Sequence, residues 1–357
     1  MTLPVAAADQ APLAPDRADP LDRTPGRLLA GVDIGGSKIA VLVTDRSLDV
    51  HGRHLARTEV GDPDRAVDQI AEAIDCALAD AGADRTSLGA IGVGVPGRVD
   101  RATGTVSRAV NLGWEQLPLG PLLAARFGCP VRVENDVRAA AAGLHERAVL
   151  GDAEDLAYLS IGTGISAGIV LGGRLHRGPR GMAGEIGHVV LDPAGPPCPC
   201  GLRGCFETLA SGPAVARQAE AALSNGRAST LDAVRPVTAI DVFHHAAAGD
   251  PLALELVEAV GAWVARAIHE LVMAYDVRRV ALGGGVASAG QTFLAPIVRG
   301  LDRLRAASPL AREVLPPDVI ELLGAEAETG TWGALILARS ESSEARLPVR
   351  EEEVADA

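Results

Sequence analysis

The chain has 357 residues, 48% of them hydrophobic but only 3% aromatic, and a formal net charge of −13. That length allows two domains, and the apolar content is ample for their cores. The acidic balance argues against nucleic acid or an anionic membrane surface as a partner, because both select basic patches.

Residues 1–26 are broken by Pro4, Pro12, Pro15, Pro20 and Pro25 and interspersed with Asp and Arg, which predicts a disordered tail. The segment lacks a basic region followed by a long apolar stretch, so no signal peptide is expected. The longest uncharged run, 156–173, carries Gly162, Gly164, Gly168, Gly172 and Gly173. Glycines at that density oppose a membrane helix, and the run reads as two strands and a turn. The cytoplasm is the expected compartment.

Order is predicted to begin at Arg27. Leu28 to Ile34 reads as a buried strand, Gly35-Gly36-Ser37-Lys38 as a tight turn, and Ile39 to Val43 as the returning strand. Glycines there let backbone N–H groups reach phosphate oxygens, and Asp33 at the strand end can hold a magnesium ion through water. An ordinary polar hairpin turn accounts for the same residues. Helical periodicity runs from Asp62 to Gly82. Ile91 to Val95 is a strand ending at Pro96-Gly97. Asn111, in a loop beside Trp114, suits carbohydrate hydroxyls or an Asx-turn.

Pro130 to Asp136 is a strand running into an alanine-rich helix, from Val137 to about Val149. Asp136 thus falls at the carboxyl end of a strand, where open α/β sheets place ligands; it also suits a helix N-cap. Residues 156–173 repeat the first hairpin, with Gly162-Thr163-Gly164 at the bend. Two such bends suggest a duplicated domain whose halves face one another, with a nucleotide phosphate chain between them. Helices are predicted over Gly212–Ala222, Ala239–Ala248 and Leu252–Ala274. Val280-Ala281-Leu282 reads as a strand followed by three glycines, Gly283, Gly284 and Gly285, which permits a flat ligand to approach or simply turns the chain. A strand over Val319–Leu323 and a helix over Gly330–Arg339 precede an acidic tail, 341–357, predicted to be disordered.

The stretch from Gly178 to Glu207 is the densest in chemistry. Glu185 and His188 sit in a glycine-rich turn. Cys198, Cys200 and Cys205 follow as C-x-C-x4-C, three of the five cysteines within eight residues. With His188 they make a four-ligand Cys/His set, the usual composition of a structural zinc site. An odd cysteine count without a secretory leader disfavours a disulfide framework.

Taken in order, Asp33-Ile34-Gly35-Gly36-Ser37-Lys38, Glu134-Asn135-Asp136, Gly162-Thr163-Gly164, Gly184-Glu185-x-Gly187-His188 and the cysteine cluster through Glu207 resemble the repressor/ORF/kinase (ROK) family of sugar kinases, over about residues 27 to 340. Among its members, ATP-dependent glucokinases look most similar. The resemblance implies an α/β, actin/hexokinase-like (ribonuclease H-like) fold of two domains closing over a cleft. The small domain would be 27–134 with the C-terminal helix 325–340, and the large domain 135–324, carrying the zinc loop 188–205. It implies Asp136 as catalytic base. Asn111, Asn135, Asp136, Glu185, His188 and Glu207 would bind the sugar. Asp33, Gly35, Gly36, Ser37, Lys38, Gly162, Thr163 and Gly164 would bind the phosphates, with Gly283 and Gly284 on the adenosine side. ATP, Mg2+ and a structural Zn2+ held by His188, Cys198, Cys200 and Cys205 are the implied cofactors, and a homodimer or homotetramer the implied assembly.

Ser37 stands where threonine is commoner and Ser166 where glycine is usual, which bears on sugar preference rather than on the reaction. Phosphorylation of glucose at its 6-hydroxyl is the expected activity, with a kinase of an N-acetylated hexosamine as the alternative. A sugar-responsive repressor of this family carries a helix-turn-helix module, for which 26 proline-broken residues are too few and too irregular. A non-catalytic sensor would be expected to lack Asp136 or the glycine bends.

Overall fold

The computed structural model describes residues 28–59, 61–324 and 327–339. The predicted tails, 1–26 and 341–357, lie outside them. Strands β1 (Leu28–Ile34) and β2 (Lys38–Thr44) form the expected antiparallel hairpin, closing at the Ile34–Ile39 pair. Strand β3 (Val50–Arg57) extends it as an edge, a position the sequence analysis leaves unassigned. Its His and Arg residues suit an edge but break the apolar alternation that marks a strand. Helix α1 (Pro63–Asp80) buries Ala66, Ile70, Ala73, Ile74, Ala77 and Leu78, as its periodicity requires. It settles on β3 at Gly52, where a Cβ would lie 2.1 Å from the Ala77 carbonyl oxygen.

Strand β4 (Leu88–Val95) returns parallel to β1. A small three-stranded sheet follows, made of β5 (Arg98–Asp100), β6 (Thr105–Ala109) and β7 (Trp114–Leu117). Trp114 opens its third strand and is 1% exposed, so it serves the core and offers no face to a ligand. Helix α2 (Leu119–Phe127) leads to β8 (Val131–Asn135), which completes a sheet ordered β3-β2-β1-β4-β8.

Helix α3 (Asp136–Glu146) crosses to a second sheet. Strands β9 (Leu156–Ile161), β10 (Ile165–Leu171) and β11 (Arg174–His176) form its antiparallel part. Helices α4 (Phe206–Ala210), α5 (Gly212–Ser224), α6 (Ala239–Ala247) and α7 (Pro251–Tyr275) come next. Strand β12 (Arg279–Gly283) is followed by α8 (Gln291–Ala307), α9 (Pro309–Val314) and β13 (Ile320–Leu322). The order is β11-β10-β9-β12-β13. Strand for strand this repeats the first sheet: an antiparallel edge and hairpin, then two parallel strands. The duplication predicted from two similar bends is therefore a duplication of whole sheets.

Neither α8 nor α9 is anticipated from the sequence. Helix α8 begins at Gly290 without a side-chain cap and contains Pro296, so it lacks the signals that announce a helix. It holds because it packs closely on α7: a Cβ at Gly261 would lie 2.3 Å from that of Pro296.

Helix α10 (Thr329–Arg339) returns to the first sheet and packs on α3, β1 and β4. Glycines set that approach. A Cβ on Gly92 would lie 1.8 Å from the Ala334 carbonyl oxygen, and one on Gly333 2.2 Å from the Ala139 backbone. Gly92→Ala is expected to cost about 3 kcal/mol or more, since backbone must move on both sides. Urea melts of the variant and the parent chain measure it; an unchanged midpoint would contradict this packing.

Candidate active site

The two bends, the β8–α3 junction and the start of α10 meet around one cleft. Its cavity, about 960 Å3, is lined by Asp33, Ser37, Lys38, Asp136, Ser160, Gly284, Thr329 and Gly330 among others. A second cavity of about 340 Å3 adjoins it, lined by Gly162, Thr163, Gly212, Pro213, Phe243, His244 and Val286. Ile240, Gly285 and Ser288 border both. The sequence analysis places a flat ligand beside Gly283 and Gly284. Gly284 and Gly285 reach the cavities, whereas Gly283 faces the Tyr158 ring, 2.5 Å from a built Cβ. The apolar wall from α5 and α6 carries no motif and is invisible in the sequence.

Asp33 is the penultimate residue of β1 and Asp136 begins α3, on either side of Gly94. A Cβ there would be 3.4 Å from the Asp136 Cα and 3.7 Å from Asp33 Oδ1. Gly330 comes still closer to Asp33, 2.2 Å from Oδ2 to its built Cβ, so α10 can start against that carboxylate only as glycine. Burial pushes Asp33 up to about 7, helped by the Asp136 charge and opposed by Lys38. Burial pushes Asp136 up to about 6; the N–H groups of Val137 and Asp136 and the Arg138 charge oppose it, and Glu185 adds to it. Each carboxyl is thus poised to exchange a proton near neutrality.

Asn135, rather than Asp136, caps α3. Its Oδ1 accepts from the Arg138 N–H at 3.1 Å, and its amide donates to Asp136 Oδ1 at 2.9 Å and to the Gly97 carbonyl at 3.3 Å. That leaves Asn135 little capacity for a sugar and makes it a support for Asp136. At the first bend the Gly35 N–H donates to the Lys38 carbonyl at 2.8 Å, and Thr58 Oγ1 donates to the Gly35 carbonyl at 2.7 Å. Gly36 lies 4.0 Å, as a built Cβ, from Asn111, which is exposed beside it. At the second bend Glu207 Oε2 accepts from the Ile165 N–H at 2.9 Å, and a Cβ on Gly164 would meet the same oxygen at 2.8 Å. One Glu207 oxygen is therefore committed to the protein.

The loop carrying Glu185 and His188 lies flat on β10. A Cβ on Gly184 would sit 1.8 Å from the Ala167 carbonyl oxygen, and one on Gly187 2.2 Å from that of Ile165. The spacing G-E-x-G-H thus holds the two polar side chains above a strand. Sequence reasoning missed what anchors the loop on its other side. Buried Glu134 accepts from Arg177 Nε at 2.7 Å, and its carboxylate also meets Arg101 and Arg138. Arg138 in turn donates to the Gly181 carbonyl at 2.6 Å and to Glu185 at 3.4 Å. Glu134 lies on β8 and Arg138 on α3, so no helical spacing announces their contact in the sequence.

The donor atoms of His188, Cys198, Cys200 and Cys205 lie within 4.8 Å of one another. Cys198 Sγ is 3.6 Å from His188 Nδ1, and Cys200 Sγ is 3.6 Å from Cys205 Sγ. Those are the edges of a tetrahedron whose ligands stand about 2.0–2.3 Å from a central zinc, so the residues fit the metal. Burial, then the neighbouring thiols, push Cys205 up to about 12. A bound cation would reverse that cost. Nδ1 faces the thiols, which leaves Nε2 of His188 free for a ligand.

Among the described residues no helix is long and apolar enough to cross a membrane. Two matching α/β lobes around a carboxylate-lined cleft define a protein of the actin/hexokinase-like class. The chain belongs to the ROK family, whose profile matches residues 29–341. It is similar to the glucokinase of Halalkalibacterium halodurans, 35% identical over 76% of this chain and 84% of that one. It is similar in structure to a ROK family glucokinase from Streptomyces griseus in complex with glucose and AMPPNP: TM-score 0.71, 32% identity, 87% of this chain and 99% of that one. The N-acetylmannosamine kinase of Citrobacter koseri is 32% identical over 74% of this chain and 86% of its own length. Relatives also include a xylose repressor of Caldicellulosiruptor bescii, 29% identical over 74% of this chain and 68% of its own length.

Proposed function

We propose that the chain is an ATP-dependent hexose kinase that phosphorylates glucose at the 6-hydroxyl. The single observation that carries this reading is Asp136. It stands at a strand end in the cleft with its pKa raised to about 6, beside the loop of Glu185 and across from the Ser37–Lys38 bend. A non-catalytic sugar sensor has no need of such a carboxylate next to a phosphate bend. The similarity to a glucokinase crystallised with glucose and AMPPNP supports the same reading.

In this mechanism the sugar lies against Glu185, His188 Nε2, Asn111 and the uncommitted oxygen of Glu207. Asp136 takes the proton of the attacking hydroxyl as that oxygen bonds to the γ-phosphorus. The bond to the β–γ bridging oxygen breaks, and ADP leaves with its electron pair. The bends close on themselves through the Gly35 and Gly162 N–H groups, which leaves those of Gly36, Ser37, Thr163 and Gly164 to hold the phosphates, and the apolar cavity beside Phe243 takes the adenine. Asp33 would hold Mg2+ through water, and the ion would supply charge neutralisation on the phosphates. Zinc on His188, Cys198, Cys200 and Cys205 is structural, since all four ligands are protein side chains. The lobes divide near residue 135, with α10 serving the first.

A panel of hexoses with ATP in a coupled ADP assay tests the reading. Glucose is expected to give the highest kcat/KM. A higher value for N-acetylmannosamine would move the substrate within the same reaction, as one relative suggests. No turnover with any sugar, together with sugar binding, would favour the sensor.

A further inference from the structure

A guanidinium that no ligand-binding role requires lies buried between the two halves of the sugar site. Arg138 is the third residue of α3, two after Asp136, and its side chain is 3% exposed. Its backbone N–H is already spent on the Asn135 cap. The side chain runs between α3 and β10, where Gly168 lets the helix approach; a Cβ there would lie 3.1 Å from the Arg138 Cα. Its Nη2 donates to the Gly181 carbonyl at 2.6 Å and to Glu185 Oε1 at 3.4 Å, while Nη1 meets Glu134 Oε1 at 3.5 Å. Glu134 is itself 1% exposed and also receives the Asn135 N–H at 3.0 Å.

Burying a charge is costly unless partners surround it. Two nonpolar side chains would pack the same space without that cost, so fold stability alone does not call for this arrangement. What the guanidinium supplies is geometry. Its planar fork fixes two acceptors relative to one another, and here the acceptors belong to different elements. Gly181 and Glu185 come from the loop that faces the sugar. Glu134 and the Arg138 backbone come from the junction that presents Asp136.

We propose that Arg138 is a positioning residue for sugar binding, holding the Glu185 carboxylate in register with the β8–α3 junction that carries Asp136. This rests on the sugar-kinase reading above. Glu185 is 32% exposed on its side chain, enough to meet a ligand while one oxygen stays tethered. Without the tether the carboxylate can rotate away, although the loop keeps its contacts with β10, Arg177 and, through His188, the cysteine cluster. Arg138, Gly181, Glu185 and Glu134 line neither of the two cavities, so nucleotide affinity does not depend on this contact.

Steady-state kinetics of Arg138→Met and Arg138→Lys test it, with zinc content and melting temperature measured alongside. Arg138→Met is expected to raise the sugar KM tenfold or more and to lower kcat, with the ATP KM unchanged within twofold. Arg138→Lys, which keeps the charge but not the fork, is expected to recover part of the sugar KM. Glu185→Gln should then cost several-fold less in the Arg138→Met background than in the parent chain. If the methionine variant fails to fold, the lysine variant and its combination with Glu185→Gln carry the same comparison. An unchanged sugar KM, equal rises in both KM values, or independent effects of the two substitutions would overturn the proposal while leaving the kinase reading intact. A parent chain that phosphorylates no hexose would overturn both.

Discussion

Asp136→Asn is expected to lower kcat by about 10²–10⁴-fold, the range for loss of a general base, while leaving the fold and the zinc cluster in place. The amide is isosteric, and the Asn135 side chain can still donate to its oxygen as it does now at 2.9 Å. Stability should move the other way. Burial raises the carboxyl from 3.8 to about 6, so the folded chain holds this proton more tightly than the unfolded chain does. The resulting stabilisation is complete below pH 4 and disappears as pH rises through about 6. Above that, the ionised carboxylate costs on the order of 1–3 kcal/mol in a site that opens to solvent. The asparagine removes that cost, so its melting temperature at neutral pH should equal or exceed the parent's. The parent's kcat/KM should also fall tenfold per pH unit below about 6, as the base becomes protonated. Parent-like turnover in the variant would sink the assignment of Asp136, and an acid limb well below pH 5 would remove its raised pKa from the mechanism.

Removal of metal is the second large effect. The chain around the cluster has little apolar material of its own: Val189, Val190 and Leu202 are exposed, and only isolated bridges pair Val190 with Cys205 and Pro197 with Arg203. Its tight bends depend on Gly204, where a Cβ would lie 1.4 Å from the Asp192 carbonyl oxygen. A loop of this kind is held by its metal rather than by burial. Purified protein should carry one zinc per chain. Stripping it with a chelator is expected to raise the sugar KM tenfold or more and to expose 189–204 to proteolysis, with a smaller change in the ATP KM. The asymmetry follows from His188, which lies three residues from Glu185 and joins the cluster through Nδ1. Stripped protein that keeps its sugar KM would show that the cluster and the pocket are independent.

The motif-bearing half of this site was legible in the residues themselves. Both glycine bends, the Asp136 junction and the four members of the Cys/His cluster fall where their spacing places them, because backbone freedom and residue spacing are local properties. Arg138, Arg177 and Gly330 were not legible. Each matters through a partner far away in sequence: Gly181 and Glu185, Glu134, and Asp33. The adenine-sized cavity escaped for a related reason, since apolar walls made of Phe243 and Val286 look like any core. At the level of elements the same rule holds. Strands β1, β4, β9 and β12 are continuous apolar runs and were found. The charged edge strand β3 and the proline-bearing helix α8 take their conformation from neighbours and were missed. Trp114, beside Asn111, shows the converse: a residue suited to sugars by type is used for packing.

The return of α10 to the first sheet has a consequence for how the molecule is made. Leu29, Leu42 and Ala90 form one face of that sheet, and their cover is Leu335 and Ala338. A ribosome delivers those two residues only after the entire second lobe. Until then the nascent chain presents an uncovered greasy surface, and strands made before the second lobe are sealed after it.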